Sequence, residues 1–547
     1  MTESDAAPDA GPDAGPEGSE PAARRALLER YLTDPDGDVF ALVGLPEVVK
    51  GAVFARYSRS ASGVKDLLLD EFADDLADGD PERAEALYEK VFGDYGDDSV
   101  AQLGGAHVAL ENVSNLATKR IEWGRLAAYL EQSTRYVAYD RPVDGRWRYH
   151  RPADVMASRH AERYEEVLDH LFATYAAGLP VMREHVRARF PLEEGTSERA
   201  WLAATRAKAL DLLRGLLPAA TEANVGMFAS GQSYELLLLR LAGDPLPECR
   251  ELGERLLSEL RKVIPSFVSR VDRPDRGHVW RDHLARTRAD TRALADRLVM
   301  GDPGPVAPVE LVDWWPRDPA DAEVALVVGA LLPHTTVGER QLEAEVRTWP
   351  AEQRAEVLRA YVGTRANRRH RPGRAFERVV YRFDVLGDYG GFRDLQRHRM
   401  CTVEWQDLTV AHGYDTPDEV EEAGLGPSWH DAIARAADLY RDLRVDLPDA
   451  AQYAVPFASR IRWTIQLNAR AAMQMLELRS QPQGHPQYRR IVQDMHRAIR
   501  DVAGHTAVAD AMVHVDHGAG DLERLGSEGP RAARRAARRP GPEGSGQ

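Results

Sequence analysis

Arg397-His398-Arg399-Met400-Cys401-Thr402 and Glu131-Gln132-Ser133-Thr134-Arg135-Tyr136 are the two stretches whose reading decides the fold. In the first, two guanidiniums flank an imidazole, an arrangement suited to a phosphate or an electron-rich ring, because the planar fork donates bidentately and also stacks. The second brings a hydroxyl and a guanidinium close together in a polar turn. Singly, each reads equally well as a solvated basic turn or as ion pairing along an exposed face. Together they read as halves of one site, each kept in a different copy of a duplicated domain.

The order of elements around them supports a duplication. The Pro/Gly-rich stretch Met300–Pro308 splits the ordered chain nearly in half. Each half runs strand, short helix, polar loop, long helices, an Arg-bearing helix, then another amphipathic helix. Alternation predicts strands at His107–Val113 and Val379–Val385. Apolar residues three or four apart predict helices over 156–190, 196–217, 246–263, 352–362, 428–443 and 487–502. The fold class is α+β, two helix-rich domains in tandem with a small, mostly antiparallel sheet in each. Domain one covers 24–299 and domain two 309–525, joined by the linker 300–308 and flanked by disordered tails at 1–23 and 526–547. Trp123 to Arg240 is 117 residues, whereas Arg397 to Arg479 is 82, so copy one holds about 35 extra residues near 150–190, expected to serve packing.

Composition narrows the function. The 547 residues carry a net charge of −16, which argues against wholesale nucleic-acid coating. An exception is the Arg-rich tail, with Arg531, Arg534, Arg535, Arg538 and Arg539. Two cysteines, Cys249 and Cys401, exclude a disulfide framework and a four-Cys zinc site and fit a reducing cytoplasm. No apolar run approaches the roughly 18 residues of a membrane span, and no secretory leader is apparent, so a soluble, unprocessed cytoplasmic protein is expected. His514, Asp516 and His517 read as a polar turn, and no metal is expected. Trp314 and Trp315 are expected at the seam between domains.

At this point the chain resembles the flavin-dependent thymidylate synthases, the ThyX family, whose pattern is Arg-His-Arg-x-x-Ser followed by Glu-x-Ser-x-Arg-Tyr. Copy two keeps the first part, with Thr402 for Ser, but Glu404-Trp-Gln-Asp-Leu-Thr409 lacks the second. Copy one has lost the first part at Trp123-Gly124-Arg125 and keeps the second at Glu131 to Tyr136. Downstream, Asn468-Ala-Arg470, Leu476-Glu-Leu-Arg479 and His485-Pro-Gln-Tyr-Arg489 resemble the family in copy two. In copy one Arg214-Gly-Leu-Leu-Pro218, Leu237-Leu-Leu-Arg240 and Leu246-Pro-Glu-Cys-Arg250 do so. Tyr95–Ser99 and Ala375-Phe-Glu377 resemble the segment before the first strand.

The resemblance implies reductive methylation of dUMP to dTMP, with methylenetetrahydrofolate giving the carbon, FAD the hydride and NADPH the reducing power. The alternative is a catalytically inactive relative that binds flavin or nucleotide as a sensor or scaffold. By resemblance, Arg397 and Arg399 are the catalytic candidates. Glu377, Arg397, His398, Arg399, Asn468 and Arg470 are those for the cofactor, and Glu131, Ser133, Arg135, Arg214, Arg240 and Arg479 those for a pyrimidine nucleotide. Because the family assembles each site from several subunits of a homotetramer, a homodimer of this chain mimicking that tetramer is implied. The family places Gln three residues before Arg-His-Arg; here Asp394 and Arg120 stand there. A carboxylate accepts from an imide N–H and cannot donate to a carbonyl, so altered uracil recognition is expected.

Overall fold

In each repeat a strand ends on a hydrogen-bond acceptor, and that residue starts the next helix. The computed structural model describes residues 19–58, 60–71, 100–299 and 307–518, with 301 and 304. Most of the acidic tail, the Tyr95–Ser99 segment, much of the linker and the Arg-rich tail lie outside the described residues.

Copy one runs β1 (Gly105–Ser114), α1 (Asn115–Ile121), β2 (Ala127–Glu131), α2 (Ala161–Arg189), α3 (Glu198–Leu213), β3 (Glu222–Ser230), α4 (Gly231–Ala242), α5 (Pro247–Leu260) and α6 (Gly277–Leu298). Copy two runs β4 (Val309–Trp315), β5 (Val380–Asp388), α7 (Tyr389–Leu395), β6 (Thr402–Trp405), α8 (Gly426–Asp446), β7 (Arg460–Asn468), α9 (Ala469–Arg479) and α10 (Pro486–Asp501). Three further helices, Pro319–Leu331, Glu339–Thr348 and Ala351–Val362, lie between β4 and β5. Both sheets are antiparallel, in the orders β1-β3-β2 and β4-β5-β7-β6.

Helix starts confirm the duplication. Ser114 caps α1 and Asp388 caps α7; Ser230 caps α4 and Asn468 caps α9, each accepting from a backbone N–H of the first turn. From these anchors the pairing register equates residues between copies. Ala128 lies opposite Phe228, and Thr402 opposite Gln466, each partner two residues before its cap. Thr402 therefore takes the place of Ala128. Three residues on, Trp405 rather than Glu404 takes the place of Glu131, a correction by one residue that reverses which face the side chain meets.

The two copies share one continuous apolar core rather than meeting as separate bodies. At the seam, Ala219 N donates to Val455 O (2.8 Å) and Ala220 N to Tyr453 O (3.0 Å), while Phe457 N donates to Leu217 O (2.8 Å) and Ala458 N to Gly215 O (2.9 Å). Gly215 permits this approach, since a Cβ there would lie 2.6 Å from the Trp429 ring. Helices α2 and α8 pack against each other across the seam. Trp314 and Trp315, expected at the seam, instead lie on the edge strand β4 against β5, with Trp315 61% exposed.

The extra length of copy one is real, but it is a longer α2 together with α3, which has no counterpart between α8 and β7. Helix α6 escapes the periodicity reading because Gly277 is its one buried residue, leaving no apolar stripe to detect.

One buried seam contact gives a test of how the halves dock. Tyr453 Oη donates to Glu248 Oε2 at 2.7 Å, and Glu248 also accepts from Ser114 N (2.8 Å) and Ser114 Oγ (2.6 Å). Tyr453→Phe should cost about 2 kcal/mol, the worth of a buried bond to a charged group, read from urea unfolding. An unchanged midpoint would mean that the halves do not dock through this contact.

Candidate active site between the repeats

Glu131 ends β2 with its side chain fully buried, and a buried carboxylate must find cations or take up a proton. It finds three. Lys119, in the last turn of α1, reaches it at 3.0 Å, and Arg393 and Arg397 of copy two both hydrogen-bond to it. Lys119 also meets Glu122 at 2.5 Å. Burial alone would push the Glu131 carboxyl up, but Arg393, Lys119 and Arg397 together hold it well below the usual carboxylate range. Arg397 keeps its side chain 35% exposed, so one edge faces solvent while the other is anchored.

A second chain of charges crosses the seam beside it. Arg135 Nε lies 2.9 Å from Asp211 Oδ1, which is 3.4 Å from Arg214 Nε. Arg214 Nη1 lies 3.8 Å from Asp394 Oδ2, and Asp394 Oδ1 lies 3.4 Å from Arg479 Nη1. Arg479 Nε donates to His398 Nε2 at 2.9 Å. Ser133 Oγ accepts from Arg135 N at 3.3 Å, within the turn after β2. Burial would raise the Asp394 carboxyl, but Arg479, Arg214, Arg397 and Arg135 hold it below its ordinary range. Burial, reinforced by Arg479, pushes His398 down to about 3, and burial does the same to His485. Both imidazoles are therefore neutral at physiological pH, and the acceptor nitrogen of His398 orients the Arg479 fork.

A cavity of about 370 Å³ adjoins this chain, bounded by Asp211, Arg214, Asp388, Asp415, His485 and Gln487. Burial raises the Asp388 carboxyl to about 7 against the opposing pull of Arg214.

The structure thus gathers Glu131, Ser133, Arg135 and Arg214 of copy one with Arg397, His398 and Arg479 of copy two. It does not gather the rest. Arg470 Nη1 meets Glu377 at 3.6 Å, its Nε donates to Pro372 O at 3.1 Å, and Asn468 caps α9. These three stand at the opposite end of α9 from Arg479, about 13 Å away at 1.5 Å per residue. Arg240 meets Trp123 in a different cleft. Arg399 is exposed and has no carboxylate partner among the described residues. Burial pushes the Cys401 thiol up to about 12, which leaves it protonated and unreactive. Among the described residues no group of His, Cys, Asp or Glu is arranged to hold a metal; His517 instead meets His496 at 3.0 Å, and Asp516 lies 3.5 Å from Arg489.

Sequence reading missed Asp211, Lys119 and Arg393, and gave His485 no role in the site. Asp211 sits on α3, within the predicted helix 196–217, and pairs with both Arg135 and Arg214. Its spacing three residues before Arg214 was the available signal.

The buried imidazoles set a pH dependence. In the unfolded chain they take up protons near pH 6.5, whereas His398 in the fold does so only near pH 3. Between those values the unfolded state binds more protons, so stability falls as pH falls. Asp388 acts in the opposite sense, which makes comparison with the parent protein necessary. His398→Gln should flatten the slope of unfolding free energy between pH 7 and 4.5 by up to one proton. An unchanged slope would contradict a neutral imidazole in the fold.

Comparison with known proteins agrees with this architecture. The family described as thymidylate synthase complementing protein matches residues 48–266 and 311–504, one segment in each repeat. A UPF0159 protein of Chlamydia pneumoniae is 38% identical over 520 residues, covering 92% of this chain and 97% of that protein. A UPF0159 protein of Thermoplasma acidophilum is 31% identical over 508 residues, covering 88% and 97%. Among solved structures, a UMP/dUMP methylase, PolB, from Streptomyces cacaoi bound with 5-Br dUMP is 19% identical. It covers 39% of this chain and 96% of its own with a TM-score of 0.31, too slight a likeness to bear on function. With both repeats matched and relatives aligned along nearly their whole length, the chain belongs to the family of thymidylate synthase complementing proteins.

Proposed function

We propose that the cleft between the repeats binds deoxyuridine monophosphate and carries out its reductive methylation, with methylenetetrahydrofolate as carbon donor and FAD as cofactor. One observation carries this reading. Asp394 lies between Arg214 and Arg479, so donor, acceptor and donor follow one another in a row. Uracil presents the complement along its imide edge: carbonyl, N–H, carbonyl. The carboxylate that seemed to disfavour uracil when read alone is thus supplied with flanking donors by its neighbours.

The charge balance supports the same ligand. Lys119, Arg135, Arg214, Arg393, Arg397 and Arg479 face Glu122, Glu131, Asp211 and Asp394, with Asp388 beside Arg214 only partly ionised near neutral pH, which leaves a positive excess to meet a phosphate. As hydride reaches the uracil ring, negative charge grows on its carbonyls, where Arg214 and Arg479 donate. No protein nucleophile is needed, consistent with a buried, protonated Cys401.

FAD, when bound, supplies the hydride, and NADPH would reduce it. Arg397 and Arg399 retain exposed guanidinium edges for a diphosphate, and Asn468 and Arg470 lie at the far end of α9, so these residues fit a ligand of dinucleotide length. A homodimer would supply four such repeats. A second reading, binding without turnover, draws on the contacts that already engage Arg135, whose Nε lies 2.9 Å from Asp211 and whose Nη1 and Nη2 donate to Tyr488 Oη (3.4 Å) and Gln483 O (2.9 Å).

Purified protein should bind one FAD per chain, and deoxyuridylate should lose the hydrogen on carbon 5. Flavin binding without hydrogen loss would favour the non-catalytic relative; protein that binds no added FAD would reject both flavin versions. Arg135→Ala should weaken nucleotide binding at least tenfold and spare flavin, whereas Arg399→Ala should do the reverse. Equal loss of both ligands in each variant, or two flavins per chain, would contradict a single composite site.

A further inference from the structure

The internal repeat creates a second cleft, and its chemistry has diverged. By the register established above, Trp123 stands where Arg397 does and Trp405 where Glu131 does. A buried ion pair in one cleft is a tryptophan pair in the other, the rings edge to face with centroids 5.6 Å apart. Trp123 Nε1 is already satisfied by Val403 O at 3.2 Å. Arg120, in the place of Asp394, also lines this cleft, and the cavity it helps enclose measures about 320 Å³, enough for a nucleobase-sized molecule.

Four arginines line the cavity, and three are paired. Arg120 lies 3.6 Å from Asp244 and 3.8 Å from Asp407. Arg288 lies 3.5 Å from Asp244, and Arg292 lies 3.1 Å from Asp407 and 2.6 Å from Asp449. The fourth, Arg240, has its guanidinium carbon 5.2 Å from the centre of the Trp123 ring and meets neither a carboxylate nor a hydrogen-bond acceptor among the described residues. Its Nε is buried without a partner. A half-buried cation without a counter-ion is costly, and the contact it makes here is with the Trp123 ring. Glu404, exposed at the rim, disfavours a dianion. Helix α6 forms one wall and is held there by the ion pairs of Arg288 and Arg292, with Gly277 its one buried residue.

We propose that this second cleft is a binding site for a flat aromatic monoanion, its ring against the Trp123–Trp405 wall and its anionic oxygen on Arg240. The site stands apart from the cleft that holds Arg135 and His398 and does not depend on the function proposed for it.

Calorimetric titration of the full chain with 2-naphthoate tests this. One equivalent should bind. Neutral 2-naphthamide and non-planar cyclohexanecarboxylate should each bind at least tenfold more weakly. Arg240→Met, which keeps an unbranched apolar side chain, should lose at least tenfold in affinity, whereas Arg135→Met should change nothing. In the unaltered protein, hydrogen exchange on adding naphthoate should slow at 288–292 and 403–407, a measurement that stands even if Arg240→Met fails to fold. Absence of binding, equal binding of the amide, undiminished affinity in Arg240→Met, or protection confined to 131–135 and 394–398 would each overturn the proposal.

Discussion

A carboxylate with no access to water must be matched by cations held close, and Glu131 is matched from both repeats. Lys119 comes from its own repeat, Arg393 and Arg397 from the other. This requirement fixes the end of β2 against α7 and so sets where the turn carrying Ser133 and Arg135 faces the helix carrying Asp394. Such a network adds little net stability, because desolvation offsets much of the attraction. Its effect is geometric, since any shift that separates the partners leaves a bare charge in the interior.

The same reasoning explains how two copies of one fold diverged. A buried charge cannot be lost singly without a large penalty, but a pair can be exchanged for packed neutral groups at small cost. The second cleft has undergone that exchange at both positions, with Trp123 and Trp405 in place of an arginine and a glutamate. The first cleft kept its ions and gained a further acid, Asp211, from a helix that copy two lacks. Each cleft is internally consistent, and neither resembles an average of the two.

Neutral imidazoles and charged carboxylates coexist in the first cleft because burial disfavours the charged ring while the surrounding guanidiniums favour the ionised carboxylates. Guanidiniums near Asp394 favour its ionised form, and the same positive field, added to burial, disfavours a proton on His398. The cleft therefore presents fixed donors, a fixed acceptor and uncharged rings over a wide pH range.

By itself the sequence determined the duplication, the α+β class, most of the long helices and the pairing of an Arg135 half with an Arg397 half, because periodicity and local motif chemistry are written in neighbouring residues. Tertiary structure alone decided the rest. That Trp405 replaces Glu131 depends on strand register, which hydrogen bonds to β7 set. That Arg240 leaves the first cleft for the second, and that Asp211 enters it from α3, depends on how helices pack across the seam. Such placements are set by burial and pairing between residues distant in the chain, and apart from the spacing of Asp211 before Arg214 no local pattern encodes them.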